Sequence, residues 1–431
     1  MSTTSSLESW KGNRKKTLLP LAAAGLALLL CFLGNMSLLF GAGFEQRYRT
    51  HALNVLVVDF DQDGSVTQAL SSAYESIKGN TFPTLKFQDP SSQYAQPEDV
   101  QDAVCKDGYW AAMYVHPGAS SRLTDAVAGG PSSSSSTQYN PDDTISYIYN
   151  AARYANVADG VIRSNLEALI AASRGTWYQT DAGQSALSQL NASDPAAVQA
   201  FLDPIQPSPF IIAPTAQGAR AYYNTLNVVF PILLAFFFLL AVNGVMGSAG
   251  IFARLPWRDV WFMRFVAAKV YTCLAALVIA GYIWAFREDW AVPASGFPKT
   301  WMIIWFQMVI NWQVFDSLIG SFLPLPAAPF FMLTWVLANV ASTANPLLLA
   351  PGFYRAGYAM PGYNIYSLEV RAWTGCTRTL HINLPVLFAW WLLGLLGTAV
   401  SARKQCSDAR RAVEQVSDSS MLQEEKRSGE A

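Results

Sequence analysis

Four polar side chains, Gln307, Asn311, Gln313 and Asp316, interrupt an otherwise apolar run at residues 301–322. A carboxylate at the centre of a bilayer costs at least ~2.5 kcal/mol, so Asp316 must face a partner, a watery cavity or the interface. At ~100° per residue, Gln307 and Asn311 share one helix face while Gln313 and Asp316 share roughly the opposite one. Amides and a carboxylate along one helix suit a path for a polar substrate group or a proton. The plainer reading is that Asp316 reaches headgroups or hydrogen-bonds a neighbouring helix. Lys269, early in the preceding apolar run, either snorkels or pairs with Asp316, and Arg264 reaches the inner interface.

Other chemistry is thin. Asp59, Asp61, Asp63 and Gly64 reproduce the first half of a calcium loop, but the twelfth position is Leu70 where a bidentate Glu belongs. A strand-to-helix turn, with carboxylates near the positive end of the next helix, explains them without a metal. There is no phosphate-binding Gly-x-x-x-x-Gly-Lys-Ser/Thr and no Gly-x-Ser-x-Gly elbow, and His51, His116 and His381 form no zinc-like pair. The expectation is a protein that is not an enzyme, uses no cofactor and binds no nucleic acid.

The elements that must carry the polar line are long apolar helices. The chain of 431 residues is 52% hydrophobic and only 14% charged, against roughly 25% charged for a soluble domain. Five apolar runs, at 226–245, 260–284, 301–322, 330–350 and 384–402, each approach the ~20 residues needed to cross a bilayer. A sixth, at 17–40, could be the core of a cleaved signal peptide. It exceeds the ~7–15 residues usual for such cores and reads as an uncleaved anchor. Lys11, Arg14, Lys15 and Lys16 precede it, Arg254 and Arg258 lie between the second and third runs, and Arg403, Lys404, Arg410 and Arg411 follow the last. Positive residues mark the cytoplasmic side, so both termini are expected inside, with six helices between them.

The resulting division is a basic cytoplasmic tail at 1–16, a first membrane helix at 17–42, an extracytoplasmic domain at 43–223, a five-helix membrane domain at 224–402 and a cytoplasmic tail at 403–431. In the external insert, strands are expected at 55–58, 84–88, 110–115 and 144–149, with helices at 66–77, 98–105, 157–173 and near 196–202, which argues a small α/β layer. The serines at 132–136 belong to an exposed loop, and a proline-rich stretch carrying Pro204, Pro207, Pro209 and Pro214 connects the domain to the bundle. Asn191 opens an Asn-Ala-Ser glycosylation acceptor. Of five cysteines, Cys105 and Cys376 alone fall outside, where they form either one disulfide or two buried thiols. The external loop at 351–383 interleaves Phe353, Tyr354, Arg355, Tyr358 and Pro361 with glycines, which reads as an interfacial or re-entrant element packed on the bundle.

Several stretches are similar to the fungal nitrosoguanidine-resistance membrane protein family. They include Asn54-Val55-Leu56-Val57-Val58-Asp59, Gly108 to Ala112, Ala152-Arg153-Tyr154-Ala155, and Ala216-Gln217-Gly218-Ala219-Arg220 followed by Tyr222-Tyr223-Asn224-Thr225. Leu333-Thr334-Trp335-Val336, Asn339, Pro351-Gly352-Phe353-Tyr354-Arg355, Gly357-Tyr358-Ala359-Met360-Pro361 and Trp373-Thr374-Gly375-Cys376 extend the match. That family resembles the permease halves of type-2 ABC exporters. The resemblance implies a plasma-membrane, permease-like glycoprotein contributing to resistance to toxic small molecules, without its own ATPase. It also places an acidic residue at Asp316, whereas the stretch before it lacks a histidine expected of many relatives. Expected partners are the lipid bilayer, small amphipathic compounds or lipids, and a second copy or another membrane protein. The alternative is a non-transporting membrane organiser or regulator acting through lipid distribution or partner binding.

Overall fold

The computed structural model describes residues 3–91, 93–106, 108–129, 139–290, 292–376 and 379–429; the serine run at 132–136 lies outside them. The first helix, α1 (Thr3–Ala42), begins well before residue 17, so most of the stretch set apart as a basic tail belongs to the helix. Leu7, Glu8, Lys11, Arg14, Lys15 and Lys16 are good helix formers, and Gly12 alone does not stop them.

The insert that follows contains β1 (Asn54–Asp59), α2 (Ser65–Ile77), β2 (Thr84–Gln88), α3 (Pro97–Cys105), β3 (Ala111–Val115) and α4 (Ala119–Val127). It continues with β4 (Ile145–Asn150), α5 (Ser164–Trp177), α6 (Asp181–Gln189), α7 (Pro195–Leu202) and β5 (Pro207–Ile212). The strands form one mixed sheet in the order β2-β1-β3-β4-β5, with only the β3–β4 pair antiparallel. Side chains alternate across the sheet. Val55, Val57, Ala111 and Met113 face α2, α4 and α5, while Leu56, Val58, Ala112 and Tyr114 face α3. Burial on both faces explains the near-continuous apolar reading of β1.

One element differs from expectation. The proline-rich connector supplies β5, which pairs with β4 alone at the sheet edge, where prolines with no N–H to donate are tolerated. The acidic turn is held by Asp59, whose carboxylate accepts bonds from the N–H of Asp61 (2.8 Å) and Asp63 (2.7 Å) and from the Thr67 hydroxyl (2.7 Å). Among the described residues, no group of three His, Cys, Asp or Glu could hold a metal.

The remaining helices are α8 (Tyr223–Ser248), α9 (Trp257–Ala285), α10 (Gly296–Leu318), α11 (Ala328–Thr343), α12 (Pro361–Thr374) and α13 (Leu380–Gly429). Helical stretches at Leu18–Ala42, Gly218–Ser248, Trp257–Ala285, Leu325–Thr343 and Leu380–Met421 are long and apolar enough to cross a membrane, which makes five candidate spans among the described residues. The protein is thus a helical membrane protein with an α/β domain between its first and second spans. At 23 residues α10 is long enough, but its amides, Lys299 and Asp316 leave it outside those five. The run read as ending at residue 350 stops as a helix at Thr343, just before Pro346, whose ring disfavours helix in the residue ahead of it. The last helix continues through the stretch read as a C-terminal tail to Gly429.

The α/β domain is seated on the bundle rather than tethered to it. One apolar cluster runs from the sheet through Tyr223, Trp290 and Trp373 into Ala276 and Met308 of the helices. The Tyr366 hydroxyl accepts the backbone N–H of Tyr154 (2.8 Å) and donates to the carbonyl of Ala152 (3.2 Å). A disulfide joins Cys105 at the end of α3 to Cys376 just after α12, with 2.06 Å between the sulfurs.

Candidate functional site

Helix α10 occupies the centre of the bundle, with α8, α9, α12 and α13 packed around it. Gln307, Asn311, Gln313 and Asp316 are all buried, at 1–3% exposure, so both polar faces meet protein. Asn311 Oδ1 accepts the Trp335 indole N–H at 2.9 Å. By contrast, Gln307 Oε1 and both amide atoms of Gln313 are buried with no hydrogen-bond partner among the described residues. An unmet buried polar group typically costs about 1–3 kcal/mol. Its retention at the packed centre is the site's most informative feature.

Asp316 pairs with Arg264, not Lys269. Arg264 Nε lies 3.1 Å from Asp316 Oδ1, Nη2 donates to the same oxygen, and Nη1 donates to Asn243 Oδ1 at 2.7 Å. The arginine is only 2% exposed, enclosed by protein. Depth explains the pairing. Arg264 lies seven residues after the start of α9 and Asp316 two before the end of α10, so the two meet where the helices adjoin. Lys269 is five residues farther along, about 7.5 Å at 1.5 Å per residue, and its Nζ stands 5.2 Å from the centre of the Phe265 ring.

Lys269, Gln313 and Asp316 nevertheless line one small cavity, with Phe265, Trp312 and Thr398, of about 10 Å³. That is roughly the space of one water-sized probe, so the site is closed in this conformation. Close approach of α13 shuts it. A Cβ at Gly394 would sit 2.7 Å from Gln313 Cβ, and Ser401 Oγ donates to the Asp316 carbonyl at 2.6 Å. Lys269, Gln313 and Asp316 therefore share one closed cavity, and Gln307 and Asn311 are not among its lining residues.

The aromatic segment becomes a 3₁₀ turn at Gly352–Ala359 leading into α12. Phe353 is 75% exposed, Arg355 is exposed, and the Tyr354 hydroxyl donates to the carbonyl of Leu38 in α1 at 2.8 Å. Tyr358 stacks edge-on with Tyr363 (5.0 Å between centroids), and buried Pro361 is the first residue of α12. Asn191, in the external domain, is exposed.

Glu369 of α12, unmarked in the sequence reading, is fully buried. Its Oε2 accepts Asn227 Nδ2 at 3.2 Å, and its Oε1 has no partner among the described residues. Burial raises its carboxyl to about 8, only partly opposed by the Asn227 bond. Asn224, Asn339 and Asn364, also buried, donate their amide N–H groups to the backbone carbonyls of Thr343, Trp335 and Tyr358. Only the density of asparagine and glutamate near helix ends could have flagged this cluster, and those residues are scattered from 224 to 369.

A family model described as a protein of unknown function, DUF3533, matches residues 24–396. An uncharacterized endoplasmic reticulum membrane protein of Saccharomyces cerevisiae is 22% identical over 400 residues, covering 83% of this chain and 74% of that relative. No solved structure matches the chain.

Proposed function

The chain belongs to the DUF3533 family of proteins of unknown function, and from that premise we propose that it is a permease-like exporter that moves small amphipathic compounds out of the cytoplasmic side. In this reading α10 is a sixth crossing, sheltered from lipid by its neighbours, and both termini are cytoplasmic. The similarity to nitrosoguanidine-resistance proteins supports a role in tolerance of toxic small molecules. The plasma membrane is the proposed location. The endoplasmic reticulum description of the yeast relative makes that compartment the competing one. No catalytic step is assigned, and the missing P-loop leaves any ATP hydrolysis to another chain.

The observation that carries the proposal is the unsatisfied Gln313 amide beside Lys269 and Asp316 at the bundle centre. A structural helix gains nothing from an unpaired buried amide, whereas a path that parts α10 from α13 would use it to bond a passing polar group. The test replaces Gln313→Leu, which removes no existing side-chain bond. A strain lacking the protein should be hypersensitive to a subset of amphipathic toxicants, and the leucine variant should fail to restore tolerance at wild-type abundance. Full restoration would remove Gln313 from the path.

A second reading is a non-transporting organiser or regulator acting through lipid distribution or a partner protein. The cavity of about 10 Å³ favours it, because it has room for no more than a water beside Lys269, Gln313 and Asp316 in this conformation. Stable co-purifying partners together with zero flux would select it.

A further inference from the structure

A second pocket lies at the other end of the molecule, where the external domain meets α12. It is walled by Trp110, Arg153 and Tyr154 from the domain and by Leu347, Tyr358 and Tyr366 from the membrane part, and it encloses about 160 Å³. That is roughly five waters' worth at about 30 Å³ each, and below the ~300 Å³ where pockets for whole drug-sized molecules begin. A cavity of that size has room for a head group rather than for an entire amphiphile. Leu348 also lines it and is 45% exposed, which leaves an apolar way out for a chain.

The pocket's chemistry is directional. Tyr154 is 6% exposed, yet its hydroxyl has no hydrogen-bond partner among the described residues. Its backbone is held in the left-handed region at φ 51°, an unusual conformation for a bulky residue, by the bond from its N–H to the Tyr366 hydroxyl. The Tyr154 ring sits edge-on to Tyr366 at 5.0 Å and tilted to Trp110 at 6.1 Å, so it cannot swing away to find water. Arg153 is the one charged side chain among the described lining residues, and its guanidinium carbon lies 3.8 Å over the Trp110 ring. The aromatic face that would attract a ligand cation is already occupied by a cation.

We propose that this pocket binds the oxyanion head of an anionic amphiphile, a carboxylate or phosphate carried on an alkyl chain, with Tyr154 donating to the head and the chain leaving past Leu348. The inference deepens the export reading by naming a class of compound, and it rests on that reading only for its place in transport. Binding itself is measurable without flux.

The experiment uses the full-length chain in nanodiscs of neutral lipid, with a fluorescent dodecanoate analogue as probe. Dodecyl phosphate should displace it, whereas dodecyltrimethylammonium, with the same chain and opposite charge, should not. Inorganic phosphate alone should displace it only at far higher concentration, since it lacks the chain. Tyr154→Phe deletes a hydroxyl that bonds to nothing in the protein, so it should fold as well as wild type while weakening probe binding about tenfold, the worth of a hydrogen bond to a charged group. Equal affinity in Tyr154→Phe, displacement by the trimethylammonium compound, or equal displacement by inorganic phosphate would each overturn the assignment. Gln313→Leu separates the two proposals: it should abolish flux and leave probe affinity unchanged. Flux without saturable binding would sink the pocket and leave the export reading standing.

Discussion

Arg264 and Asp316 are buried together, at 2% and 3% exposure, and the side chains pair directly. Removing one partner of a buried pair leaves the other uncompensated and typically costs about 3–5 kcal/mol, whereas replacing both with apolar groups is often neutral. Arg264→Ala should therefore lower the yield and melting temperature of detergent-solubilised protein sharply, and Arg264→Met with Asp316→Leu should recover most of the loss. A single variant as stable as wild type would show that the pair contributes little. Glu369 adds a pH dependence. Its carboxyl titrates at about 8 in the folded chain against an ordinary 4.5, so between those values the folded state holds a proton that the unfolded state has released. Stability should then fall as pH rises through that window. Glu369→Gln, which still accepts from Asn227, should flatten the decline in melting temperature between pH 5 and pH 8; an unchanged slope would assign the dependence elsewhere. Asp316 was legible as a carboxylate in an apolar run. Its partner was not, because a sequence gives the depth of each charge but not which helices adjoin.

Among the elements, hydrophobic runs marked the helices well and their ends poorly. α11 stops early because of Pro346, and α13 runs on because nothing in its polar tail breaks it. β5 went unrecognised because prolines argue against a strand unless it lies at an edge, and edge position is a property of the assembled sheet. The disulfide between α3 and the end of α12 fastens two elements 271 residues apart. Closing so long a loop constrains the unfolded chain, and native bridges commonly contribute about 2–5 kcal/mol. Cys105→Ser should abolish the mobility difference between reduced and non-reduced gels and loosen the domain from the bundle, read as faster proteolysis at the connector before α8. Unaltered mobility and protease resistance would mean that apolar packing through Tyr223, Trp290 and Trp373 suffices by itself.

At the scale of the whole molecule, an α/β domain is clamped onto a helix bundle whose centre holds amides unpaired among the described residues. Composition and the long apolar runs made the helical membrane architecture readable, because lipid imposes length and apolarity on each crossing. The two pockets were not readable, since each is lined by residues from distant parts of the chain. If the domain faces away from the cytosol, exposed Asn191 should carry a glycan, seen as an endoglycosidase-sensitive mass that Asn191→Gln removes. The most direct test of export is reconstitution of the purified chain into liposomes, following a fluorescent anionic amphiphile from one side of the bilayer to the other. Protein-dependent movement that Gln313→Leu eliminates is the expected result. Movement no faster than in empty liposomes under every ion gradient, from protein that still binds the amphiphile, would contradict it.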